Sequence, residues 1–134
     1  MKKIEHIGIA VKDIDASNEL FASLFGKEHY KIEDVKSEGV KTSFFECEPN
    51  KIELLQATNE ESPIAKFIEK KGEGIHHIAF AVDDIESEIA RLTDEGFKMI
   101  HEKPKRGADN KLIAFLHPKS TNGVLIELCQ DIKE

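Results

Sequence analysis

Two histidines and two glutamates recur in matching frames. The segment Ile4-Glu5-His6-Ile7-Gly8-Ile9-Ala10-Val11 returns as Ile75-His76-His77-Ile78-Ala79-Phe80-Ala81-Val82, and Lys51-Ile52-Glu53-Leu54-Leu55-Gln56 is echoed by Val124-Leu125-Ile126-Glu127-Leu128-Cys129. A repeat that carries its chemical groups along with its apolar frame points to one shared site. Alternation along a strand places His6 with Ile4, Gly8 and Ala10, and His77 with Ala79 and Ala81, so each imidazole has small neighbours. His76 points to the opposite face. Glu53 and Glu127 each sit inside an apolar run, where an ionised carboxylate costs free energy unless it gains a proton, a partner or a metal. Two imidazoles and two carboxylates make a mixed N/O donor set, suited to an octahedral first-row divalent ion with two positions left for water or a chelating substrate. A closed zinc site would more often draw on thiolates, but neither Cys47 nor Cys129 repeats with the pattern. The two share no C-x-x-C spacing and read as reduced packing residues.

The elements that must position these groups also repeat. Ile4 to Val11 is β-branched and apolar as a buried strand would be, and Asp13 to Asp15 supplies helix-capping carboxylates. Leu20, Phe21, Leu24 and Phe25 then fall at helical spacing, with Gly26 placed to end the helix. The second half gives a strand over 75–82, Asp84 as cap, Ile85, Ile89 and Leu92 on one helix face, and Gly96 as terminator. Three further strands are expected in each half, near 28–36, 40–48 and 51–56, and near 97–102, 111–117 and 123–129. Each half therefore reads as βαβββ. Between them Ser62-Pro63 starts a helix whose stripe is Ile64, Phe67 and Ile68 and which Gly72 and Gly74 end. The expectation is a single α+β domain over 1–134, with module 1 at about 1–57, a linking helix at about 58–73 that docks on the sheet, and module 2 at about 74–134.

Composition narrows the function classes. A chain of 134 residues suits one domain with a real core, and a formal net charge of -7 argues against a nucleic-acid partner. Nothing approaches the roughly 18 consecutive apolar residues of a membrane span, and the N-terminus enters a strand pattern directly, which leads us to expect a soluble cytoplasmic protein. His29 and His101 have no repeated partner and read as surface or structural residues, while His117 before Pro118 suits a turn or a pocket wall.

On these residues the chain resembles the vicinal oxygen chelate superfamily, which includes glyoxalases, bleomycin-resistance proteins and dioxygenases. Within it, Gly72-Glu73-Gly74-Ile75-His76-His77-Ile78-Ala79-Phe80, Phe115-Leu116-His117-Pro118-Lys119-Ser120 and Gly123-Val124-Leu125-Ile126-Glu127-Leu128 are similar to the methylmalonyl-CoA epimerases. The resemblance implies two βαβββ modules forming a cupped, barrel-like mixed sheet around a divalent metal (Co, Mn, Ni, Zn or Mg) held by His6, Glu53, His77 and Glu127. It implies an acyl-CoA substrate and a homodimer. In methylmalonyl-CoA a thioester carbonyl and a carboxylate flank one carbon, so both oxygens can chelate, and a Lewis acid makes the α-proton easier to remove. Interconversion of (R)- and (S)-methylmalonyl-CoA would then run by proton abstraction and return at C2 through a metal-stabilised enolate.

Glu127 is implied both as ligand and as one proton carrier. Inversion most simply uses a second acid/base on the opposite face. The family pattern puts a glutamate there after a Gly-Val step, but Gly39-Val40 brings Thr42 to that position, with Glu46 and Glu48 on the same strand face. At 53 the family carries Gln or Glu. Lys103, Lys105, Arg106 and Lys111 surround the turn-rich Gly107-Ala108-Asp109-Asn110, which reads as a phosphate contact or a solvated loop. Two other readings fit the scaffold: a glyoxalase-type lyase or isomerase acting on a glutathione adduct, and a metal-free small-molecule-binding protein of the bleomycin-resistance type.

Overall fold

Strand, helix and three further strands follow one another twice in the computed structural model, which describes residues 1–133. β1 (Lys3–Ala10) leads to α1 (Ile14–Phe25), β2 (Lys31–Val35), β3 (Val40–Cys47) and β4 (Asn50–Ala57). After α2 (Pro63–Lys71), β5 (Gly74–Ala81) leads to α3 (Ile85–Asp94), β6 (Lys105–Arg106), β7 (Lys111–Leu116) and β8 (Ile126–Asp131). The fold is α+β, with the two βαβββ repeats that the duplicated frame implies. It divides into two compact units, one spanning His6–His76 and the other combining Met1–Glu5 with the chain from His77 onward.

In the first unit the strand order is β2-β3-β4-β1. β1 and β4 are parallel, and β3 runs antiparallel to both β4 and β2. Asp13, extended ahead of α1, accepts the N–H groups of Asp15 and Ala16, and Gly26 closes the helix at φ 73°. Below α1, Ile14, Phe21 and Phe25 pack on Ile9, Phe45, Ile52 and Leu54. Leu20 and Leu24, from the same expected apolar stripe, remain exposed, because one sheet covers only one arc of a helix. Ser62 accepts from Ile64 N–H at the start of α2, which packs on β4.

The second unit repeats this with the order β5-β8-β7-β6, β5 and β8 parallel and β7 antiparallel to β8. Ile85, Ile89 and Leu92 of α3 bury against Val82, Ala114, Leu116 and Leu128, each contributing about 1.5–3 kcal/mol. The first residues of the chain belong here. Lys2 N–H donates to Ala81 O at 2.9 Å, the Met1 ammonium lies 3.5 Å from Glu88, and Lys2 Nζ lies 3.0 Å from Asp83.

Three expected strands differ in form, β2 starting at Lys31 instead of near 28. In place of a continuous strand at 97–102, Met99 makes an isolated bridge to Leu116 and only Lys105–Arg106 forms a ladder with β7. Pro104 lies between these pairings and has no N–H to donate, so the edge is interrupted there. The strand expected from 123 begins instead at Ile126, because Asn122 (φ 55°) and Gly123 (φ 84°) form a left-handed turn before it. Cys129 is buried as expected, whereas Cys47, at the end of β3, is exposed.

Candidate functional site

Strand register decides which side chains share a face. In the first unit His6 is level with Lys51, while Glu53 is level with Gly8 on β1 and Phe44 on β3, so both polar groups rise on the face opposite α1. Gly8 carries no side chain to crowd the carboxylate. His6 Nε2 lies 2.7 Å from Glu53 Oε2, and both side chains are buried.

The second unit builds the same pair. Glu127 is level with Ala79 on β5 and Phe115 on β7, and His77 Nε2 lies 3.3 Å from Glu127 Oε1, again buried. Phe115 meets the His77 ring edge-on, with centroids 5.6 Å apart at 89°, so it fixes the imidazole plane by packing. Donors about 2.1 Å from an octahedral ion and at right angles to each other are about 3.0 Å apart. The two His–Glu separations straddle that value. With nitrogen and oxygen donors at adjacent-ligand spacing in buried surroundings, each pair fits a divalent ion.

The glutamate strands are anchored on their other face. Gln56 Oε1 accepts from Ile14 N–H at 2.7 Å, and Gln130 Oε1 accepts from Ile85 N–H at 2.7 Å. Val11 N–H donates to Leu55 O and Val82 N–H to Cys129 O, both at 2.9 Å. Each strand thus offers a carboxylate to one face and, three residues on, satisfies a helix N-terminus on the other. Sequence reading missed this pair, although Glu-x-x-Gln occurs at both places and was a usable signal.

The remaining candidates separate by contact. His76 turns to α2, where its ring lies 5.0 Å from Phe67 at 81°. Thr42 is buried and donates its hydroxyl to Glu33 O at 3.1 Å. Glu46 is exposed, 3.9 Å from Lys27, and Glu48 is exposed in the β3–β4 turn. His117 Nδ1 accepts from Lys119 N–H, capping the short 3₁₀ turn Pro118–Ser120. His101 Nδ1 accepts from Phe115 N–H at 3.3 Å, and the His29 ring packs against Phe45 at 5.9 Å. Lys111, grouped in sequence with the basic loop, instead opens β7 and pairs with Asp131 and, at 4.0 Å, the buried Glu5. Its charge is compensated inside the unit, while Lys103 and Arg106 remain exposed near the Asp109-Asn110 turn.

Residues 5–115 match the Glyoxalase/Bleomycin resistance protein/Dioxygenase superfamily, and the chain belongs to it. Among its relatives, the mitochondrial methylmalonyl-CoA epimerase of Dictyostelium discoideum is 41% identical over 94% of this chain and 76% of its own. The ethylmalonyl-CoA/methylmalonyl-CoA epimerase of Cereibacter sphaeroides is 40% identical over 96% of this chain and 97% of its own. The solved structure of a variant of Streptomyces coelicolor methylmalonyl-CoA epimerase in complex with 2-nitronate-propionyl-CoA is similar with a TM-score of 0.92 and 35% identity, covering 98% of this chain and 95% of that one. Among the described residues no helix is long and apolar enough to cross a membrane.

Proposed function

We propose that this chain is a metal-dependent epimerase that interconverts (R)- and (S)-methylmalonyl-CoA, with His6, Glu53, His77 and Glu127 pooled as the ligands of one divalent ion. The observation that carries the reading is the duplicated buried His–Glu pair at adjacent-ligand spacing, 2.7 and 3.3 Å, in a chain whose relatives bear the epimerase name. When bound, the ion (Co, Mn, Ni, Zn or Mg) supplies a Lewis acid for the substrate's chelating oxygens. The chain's own residues do the rest. Glu127 takes or returns the C2 proton, Phe115 holds the His77 ring in place, and the small Gly8 and Ala79 leave room beside the two carboxylates. Glu53 needs only to donate an oxygen. The same reading makes residues 1–134 one catalytic domain in a cytoplasmic homodimer.

The experiment is incubation of the purified protein with one epimer of methylmalonyl-CoA in deuterium oxide, with a stereospecific readout and metal analysis on the same sample. Deuterium should enter C2 while the other epimer appears, and both should stop on chelation and resume on adding a divalent ion. A metal-loaded protein that incorporates no deuterium overturns the proposal.

A further inference from the structure

An epimerase must remove a proton from one face of a planar carbon and return it to the other, a task for two acid/base groups. Under the function proposed above, Glu127 serves one face. Thr42 cannot serve the other, since the residue is 1% exposed with its hydroxyl donating to Glu33 O, and an alcohol does not titrate near neutral pH. Glu46 is 55% exposed near the end of β3, and Glu48 lies in an exposed turn, so both are more open to water than Glu33.

Among the described strand residues, Glu33 is a further carboxylate on the face of Glu53. β2 pairs antiparallel with β3 so that Glu33 is opposite Thr42 and Lys31 is opposite Phe44, while Phe44 is opposite Glu53. Directly opposed residues on antiparallel strands project to the same side. The contacts agree with this register. Lys31 Nζ lies 5.4 Å from the centre of the Phe44 ring and 3.4 Å from Glu33 Oε1. Outward from Glu53 the face therefore carries an aromatic ring, an ammonium and a second carboxylate. That carboxylate is 31% exposed, so water reaches it directly between turnovers. The short Thr42 side chain lies between Glu33 and Leu55 in the same cross-strand row and leaves that row low.

We propose that Glu33 is the second acid/base of the epimerisation, placed one strand across from the position that Thr42 occupies. Lys31 is the residue that positions it.

Each epimer is incubated separately in deuterium oxide with the parent enzyme and with Glu33→Gln, whose fold and metal content are measured on the same samples. The substitution is isosteric at a part-exposed site, so both should match the parent. Net epimerisation should fall by roughly 10²–10⁴-fold, as for loss of a general acid/base. One epimer should nevertheless go on exchanging its C2 proton with retention of configuration, because Glu127 is untouched. A merely structural role would slow exchange from both epimers together, and that result overturns the proposal, as does a Glu33→Gln enzyme that inverts at the parent rate. A parent enzyme that neither exchanges nor inverts overturns the epimerase reading and this proposal with it, so the two failures are told apart by the parent sample.

Discussion

Glu127→Gln separates ligation from proton transfer at one position. The side chain is buried, level with Ala79 and Phe115, and its Oε1 lies 3.3 Å from His77 Nε2. Glutamine has nearly the same volume and keeps an oxygen, so the substitution should change stability by less than about 1.5 kcal/mol and leave part of the metal bound. An amide cannot take a proton near neutral pH. Turnover should fall by roughly 10²–10⁴-fold beyond any loss of metal, which corresponds to about 3–5 kcal/mol on the barrier at 1.36 kcal/mol per tenfold. Glu53→Gln, with only ligation at stake, should show a smaller fall in turnover per bound ion than Glu127→Gln. The assay is a coupled stereospecific epimerisation with elemental analysis of each sample. A fully metal-loaded Glu127→Gln protein that epimerises at the parent rate would refute the role assigned to this carboxylate.

Three other perturbations follow from particular contacts. His6→Ala and His77→Ala should each lose most of the bound divalent ion on elemental analysis, whereas His76→Ala should keep it; loss of its ring contact with Phe67 should itself cost about 0.5–1.5 kcal/mol in chemical unfolding. Gln130→Ala leaves Ile85 N–H without the acceptor it has at 2.7 Å, and should lower unfolding stability by about 1 kcal/mol with metal retained; an unchanged midpoint would show that water replaces the amide. Glu88 is held below its ordinary 4.5, chiefly by the hydrogen bond from Arg91, with burial opposing. Its charged form therefore stabilises the fold above that pH, and the contribution fades as pH falls through the lowered value. Glu88→Gln should lower the melting temperature at pH 7 and converge with the parent in acid.

The chemistry was legible because it was written twice. His6 and His77, and Glu53 and Glu127, can be paired by their sequence frames alone, and the helix starts at Asp13 and Asp84 are marked by capping carboxylates. What escaped depends on partners far away in sequence. Leu20 and Leu24 satisfy helical periodicity as well as Phe21 and Phe25, and only the sheet decides which pair it covers. The interrupted edge near Pro104 and the pairing of Lys111 with Asp131 rest on strand register, and its pairing with Glu5 on a contact across more than a hundred residues. Glu33 was invisible for the same reason, since nothing local marks a glutamate as standing opposite Thr42.

The inclusion of Met1–Glu5 in the unit that otherwise starts at His77 bears on how such a duplicated chain persists. A gene severed in the linker would give two products, neither holding a whole unit. The C-terminal product would lack the backbone bond from Lys2 to Ala81 and the terminal ammonium beside Glu88, leaving part of the β5 edge open to aggregation or to borrowing a strand from another chain. Folding thus ties the two copies into one chain, because the opening residues of one repeat complete the other.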